Sequence, residues 1–112
     1  MMTLDEARSL IEYEALEGIA VSSRHGEYPD RARVEEILEA LRTLHRELRG
    51  QETLDRKLAA CLFILNDQVQ GNMAGAQAQG IPVPEEFSGT GFFEINQALY
   101  AIFEDWEEQG RV

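Results

Sequence analysis

Residues Leu58–Pro84 read LAACLFILNDQVQGNMAGAQAQGIPVP, an apolar run that passes into amides, alanines and glycines before two prolines close it. At ~100° per residue, Leu58 to Leu65 are apolar on almost every side, with Phe63 opposite Cys61 and Leu65, and a helix apolar all round needs cover from more than one neighbour. The reading is a central helix or a dimer helix. Projected onward, Gln68, Val69, Asn72, Met73 and Ala76 continue the face of Leu54, Leu58 and Leu65, while Gly71, Ala74, Gly75 and Ala78 form a stripe of small residues beside it. The pattern predicts a helix from Glu52 or Thr53 to Gln79, roughly 40 Å long. Its two glycines oppose the extension, each costing ~1 kcal/mol relative to alanine.

Three shorter helices surround this one in the sequence. Thr3-Leu4-Asp5-Glu6 fits a capping box, and Leu4, Ala7, Ile11, Ala15, Gly18 and Ile19 share one face of a first helix expected to run to about Ser23. RHGEYPD, residues 24–30, breaks that pattern, and Asp30 is placed to cap a second helix. In it Val34, Ile37, Leu38, Leu41, Leu44 and Leu48 form a narrow stripe that ends at Gly50. A fourth helix begins near Gly91, with Phe92, Ile95, Leu99, Ile102, Phe103 and Trp106 on one side. The fold class expected is all-α, a four-helix antiparallel bundle-like single domain over residues 1–112 with a long third helix.

The chain has 112 residues, a formal net charge of −11 and one cysteine. A 44% hydrophobic content in periodic blocks argues for a packed core in spite of that charge. Residues 1–23 carry five acids against Arg8, residues 24–50 balance six acids with six arginines, and residues 81–112 hold seven acids against Arg111. Nonspecific nucleic-acid affinity needs clustered Lys and Arg, so direct nucleic-acid binding is not expected. A basic protein partner would be attracted and steered instead. No apolar run approaches the ~18 residues of a membrane span, and the N-terminus carries Asp5 and Glu6 where a signal peptide is basic. Together with the lone Cys61 this suggests the cytoplasm.

Glu35-Glu36-x-x-Glu39 followed by Glu52-x-x-Asp55 resembles the EExxE…ExxD pattern of the MazG-type nucleotide pyrophosphohydrolases. That resemblance implies an all-α enzyme holding Mg²⁺ between two helices with these carboxylates. Read from helix geometry alone, Glu35, Glu36 and Glu39 lie about 120° or more from the centre of their apolar stripe, on a solvated face. Antiparallel packing of the second and third helices would put Glu39 opposite about Leu62, roughly 15 Å along the axis from Glu52 and Asp55. Cys61 reads as a packed hydrophobe, and Ser22, Ser23 and His25 have no positioned third group. GTGFF, residues 89–93, reads as a plain loop-to-helix junction.

The function expected is that of a noncatalytic acidic interaction protein, an adaptor, regulator or immunity-like inhibitor that binds a basic protein and needs no cofactor. The metal-dependent hydrolase is the alternative. Two surfaces are candidates. One is the tail of the third helix, where Gln68, Gly71, Asn72, Gly75 and Ala78 suggest a close helix–helix contact, most simply a twofold homodimer; Ile81, Val83 and Phe87 of the returning loop are apolar anchors expected to cover the end of the bundle or, alternatively, to join that surface. The other is the acidic rim Glu104, Glu107 and Glu108 around Trp106, an aromatic anchor for a basic partner.

Overall fold

Each of three long helices starts where a side chain satisfies its orphan backbone N–H groups. In the computed structural model, which describes residues 1–104, α1 (Leu4–Leu16) opens on a capping box: the Glu6 N–H donates to Thr3 Oγ1 at 3.1 Å and the Thr3 N–H to Glu6 Oε1 at 2.9 Å. A single turn, α2 (Ile19–Ser22), follows. Asp30 caps α3 (Arg31–Leu48) by accepting from the Arg33 N–H, and Asp55 caps α4 (Arg56–Ala78) by accepting from the Leu58 N–H. The fourth long helix, α5 (Phe92–Glu104), continues out of a π-helical stretch, Glu86–Gly91.

The helix ends are equally local. After α3, Arg49 and Gly50 are the central residues of a turn closed by the Gln51 N–H on the Leu48 carbonyl; Gly50 takes the φ of +79° that disfavours a side chain. After α4 the Ile81 N–H reaches the Ala76 carbonyl and the Gly80 N–H the Gln77 carbonyl, a Schellman ending that again requires the positive φ of Gly80. The small-residue tail is therefore helical through Ala78, as expected. The start moves from Glu52 or Thr53 to Arg56, because Asp55 is the residue that caps.

The first helix is not continuous to Ser23. The N–H groups of Glu17 and Gly18 both donate to the Tyr13 carbonyl at 2.8 Å, α1 stops, and α2 restarts at Ile19. A 3₁₀ turn, Ser23–His25, then leads to Gly26.

Side-chain pairs fix the helix directions. Glu39 near the Met2 N–H and Arg33 on Glu14 make α1 and α3 antiparallel, whereas Arg8 on Asp55 and Asn72 on Ala20 make α1 and α4 parallel. Arg31 on Glu94 brings the starts of α3 and α5 together. α1 packs on both α3 and α4, α5 packs on α3 and lightly on α4, and α3 and α4, although consecutive, are not neighbours. The expected pairing of α3 with α4, and with it Glu39 opposite Leu62, does not occur. Residues 49–55 cross the end of the bundle diagonally instead, and α1 fills the place beside both.

The bundle-like all-α fold closes on one cluster. Ala7, Ile11 and Ala15 of α1, Ile37, Leu41 and Leu44 of α3, Leu58, Leu62, Leu65 and Val69 of α4, and Ile95 and Leu99 of α5 are all buried. Each of the Val, Leu and Ile side chains contributes ~1.5–3 kcal/mol by leaving water, and the alanine methyls less. On α5 the buried stripe is Ile95, Ala98, Leu99, Ala101 and Ile102; Phe103, expected inside, is 45% exposed.

Candidate interaction surface

The carboxylates of the resemblance motif do not meet. Glu35 pairs with Arg31 one turn before it on α3, and Glu39 accepts from the Met2 N–H. Asp55 is engaged elsewhere, capping α4 and accepting from Arg8 at 3.1 Å. Hydrogen bonds from the Leu58 N–H and, secondarily, the charge of Arg8 lower its pKa below the usual carboxylate range. Glu35, Glu36 and Glu39 do border a shared surface groove of about 530 Å³, but Arg42 and Arg46 of the same helix line it too. Among the described residues no three His, Cys, Asp or Glu side chains are grouped so as to hold a metal ion. A Mg²⁺ ion needs converging oxygens, and this set supplies none.

Among the described residues the most interior acid is Glu14, which is buried. Its Oε1 accepts from the Ile19 N–H at 2.9 Å and its two oxygens accept from Arg33 Nη2 and Nε at 2.6 and 3.0 Å. The carboxylate thus caps α2 across the break and ties it to α3. The hydrogen bonds that Arg33 donates to Glu14 raise the pKa of its guanidinium. This is scaffold chemistry, with every oxygen engaged.

Of the tail residues Gln68, Gly71, Asn72, Gly75 and Ala78, Asn72 makes side-chain hydrogen bonds within the chain. Asn72 Nδ2 donates to the Ala20 carbonyl at 3.2 Å and to Ser23 Oγ at 2.9 Å, pinning α2 and the 3₁₀ turn onto α4. Gln68, expected on the buried face, is exposed, because the core side of α4 runs through Leu65, Val69 and Met73. Gly71, Gly75 and Ala78 are exposed as well, and a Cβ added to either glycine would meet nothing within 4 Å. With Arg24 and His25 opposite, the glycines line an open groove of about 380 Å³.

Phe87 is not available to a partner. It is 1% exposed, its ring 5.4 Å from Tyr28 and 6.1 Å from Phe92, so the returning loop folds this side chain into the bundle. Gly91 makes room there: a Cβ would come within 3.3 Å of the Phe87 ring and 3.4 Å of Val34, so these side chains would have to shift by a few tenths of an ångström. Of the acidic rim, Glu104 is exposed at the end of α5; Trp106, Glu107 and Glu108 lie outside the described residues.

Two features escaped the residue-by-residue reading. Phe63, expected to be covered by a neighbour, is 63% exposed, and Phe93, Tyr100 and Phe103 on α5 are 58%, 46% and 45% exposed. Charge is also segregated: between residues 58 and 110 there is no Lys, Arg or His, against Asp67, Glu85, Glu86, Glu94, Glu104, Asp105, Glu107 and Glu108. Of these, Glu94 is matched by Arg31 from α3, which lowers its pKa. The cation-free run was legible in the sequence but is divided when charge is counted in blocks that begin at residue 51. No helix among the described residues is long and apolar enough to cross a membrane. No protein-family model matches the chain, and no curated protein or solved structure is similar enough to it to match.

Proposed function

We propose that the chain is a noncatalytic acidic interaction protein, an adaptor or inhibitor that binds a basic protein partner. The observation that carries this reading is the segregation of charge: every positive side chain except Arg111 lies within residues 1–57, so α5 and α4 beyond Lys57 contribute no cation of their own, and of their acids Glu94 is met by Arg31 from α3. Such a face attracts Lys- and Arg-rich surfaces and repels phosphate backbones, so the partner is a protein and not a nucleic acid. The single buried Cys61 suits a reducing, cytoplasmic setting.

The test is capture from an extract of the source cell on the immobilised protein, with elution by rising salt. A basic protein should be retained by the wild type, released by moderate salt, and lost from a Glu85→Lys, Glu86→Lys, Glu104→Lys variant. Retention indifferent to salt and to the three reversals would remove the acidic surface from the function.

Self-association through the α4 tail is a second reading, favoured by one observation. Gly71 and Gly75 lower helix stability by ~1 kcal/mol each, and no packing within the chain requires them. A twofold contact of two tails supplies the missing reason. Gly75→Leu should then shift the protein from dimer to monomer in sedimentation velocity with helicity unchanged; a wild type already monomeric at tens of micromolar contradicts it.

A further inference from the structure

We propose that the tail of α4, residues 71–78, is a latch, a segment that opens from the bundle and closes on it apart from the rest of the fold, held shut by Asn72. Segments open locally where few apolar side chains are buried and the backbone hydrogen bonds lie near water. α4 changes in that sense after Val69. Its first part buries Leu58, Cys61, Leu62, Leu65 and Val69, whereas beyond Val69 it buries only Met73. Gly71, Ala74, Gly75, Gln77 and Ala78 are exposed.

Two glycines weaken the same stretch. Each disfavours the helical state about fivefold relative to alanine. Neither is demanded by packing within the chain, because a Cβ at Gly71 or Gly75 would meet nothing within 4 Å. Nor does either hold a positive φ; that conformation belongs to Gly80, past the end of the helix. The glycines therefore shift the local equilibrium toward the open form.

One polar tie opposes them. Asn72 Nδ2 donates to the Ala20 carbonyl and to Ser23 Oγ, which joins the tail to α2 and to the 3₁₀ turn. Beside those bonds the elements stand apart, with Arg24, His25 and Gly26 on one side of the groove of about 380 Å³ and Gly71 and Gly75 on the other. Closure thus depends on two adjacent side chains, Asn72 and Met73. The chain is anchored on either side of the segment, by Val69 in the core and by Val83 packed against it. Opening is confined between those anchors, and it releases Ala20 and Ser23 together with the tail.

The experiment is native-state hydrogen exchange, read by NMR on the full chain at a concentration where sedimentation shows the monomer. The amides of residues 75–79, whose acceptors lie in the segment, should share one protection factor at least about tenfold below those of residues 62–69, and low urea should accelerate them less. Asn72→Ala should lower the protection of all five about tenfold, with circular dichroism verifying the fold. Gly71→Ala should raise it about fivefold at all five, and this variant decides the matter if Asn72→Ala does not fold. Protection and urea dependence equal to those of residues 62–69 would show that the tail opens only with the whole protein. Protection that declines residue by residue toward Gln79, and that neither variant moves, would be the fraying of an ordinary helix end. Either result overturns the latch.

Discussion

Glu14 and Arg33, nineteen residues apart in sequence, form a bidentate ion pair that also closes the break between α1 and α2. The Glu14 side chain is 5% exposed and that of Arg33 34%. Removing the arginine leaves a buried carboxylate with only the Ile19 N–H. Arg33→Met should therefore lower unfolding free energy by about 2–3 kcal/mol, less than for a fully enclosed pair because Arg33 is partly hydrated. Glu14→Gln keeps the bond to Ile19 and should cost about 1 kcal/mol. Urea unfolding of both variants and of the double variant measures the coupling; independent, additive effects would show that the pair carries no stability.

Gly18 sits against that pair. A Cβ there would come within 2.2 Å of Glu14 Oε1 and 2.9 Å of the Glu14 Cα. Gly18→Ala must displace either the carboxylate or the backbone, and should lower stability by about 1–3 kcal/mol. Gly71→Ala, whose Cβ meets nothing, should raise the stability of the monomer by up to ~1 kcal/mol. Thermal melts of the two variants should shift in opposite directions, and a shift of the same sign in both contradicts the packing described.

Acid should unfold the protein through its helix starts. Glu6, held low by hydrogen bonds from Thr3, Asp55, held low by the Leu58 N–H and Arg8, and Glu94, held low by Arg31, all have folded-state pKa values below their ordinary ones. Protonation therefore favours the unfolded chain. Their contribution is complete above the unfolded value near ~4 and disappears as pH falls through the lower folded values. Tm should fall steeply from about pH 5 to pH 3, and Asp55→Asn should flatten that limb. A Tm independent of pH across this range would mean that the caps contribute nothing.

Cys61 is 2% exposed, and burial raises its thiol pKa. Labelling by a thiol reagent at pH 8 should be roughly a hundredfold or more slower in the native protein than in denaturant, because it must await local opening. Rapid native labelling would place Cys61 outside the core.

What the sequence disclosed was what neighbouring residues decide. Thr3, Asp30 and Gly50 announced helix ends because capping and positive φ are settled within a few positions. The periodic stripe of α3 was legible for the same reason. The break at Gly18 was hidden, since the apolar face continues through Ile19 and the break depends on Arg33, a residue of another helix. Gln68 and Phe103 were misplaced for a related reason: a stripe drawn at 100° per residue has edges, and which edge turns inward depends on which neighbour is present. Because α3 and α4 are diagonal, the neighbours were not those of adjacent sequence. Phe87 docks on the bundle as an apolar anchor of the loop should, but the π-helical stretch that carries it has no short sequence signature.

That diagonal arrangement also orders assembly during synthesis. Residues 1–50 leave the ribosome first and already contain both members of the α1/α3 hairpin. α4 then finds its seat on α1, and α5 arrives last, on α3. A chain lacking residues 1–16 would lose the helix on which both α3 and α4 pack. The amino-terminal helix is thus the keystone of the nascent chain, and its loss should yield an insoluble product rather than a shortened bundle.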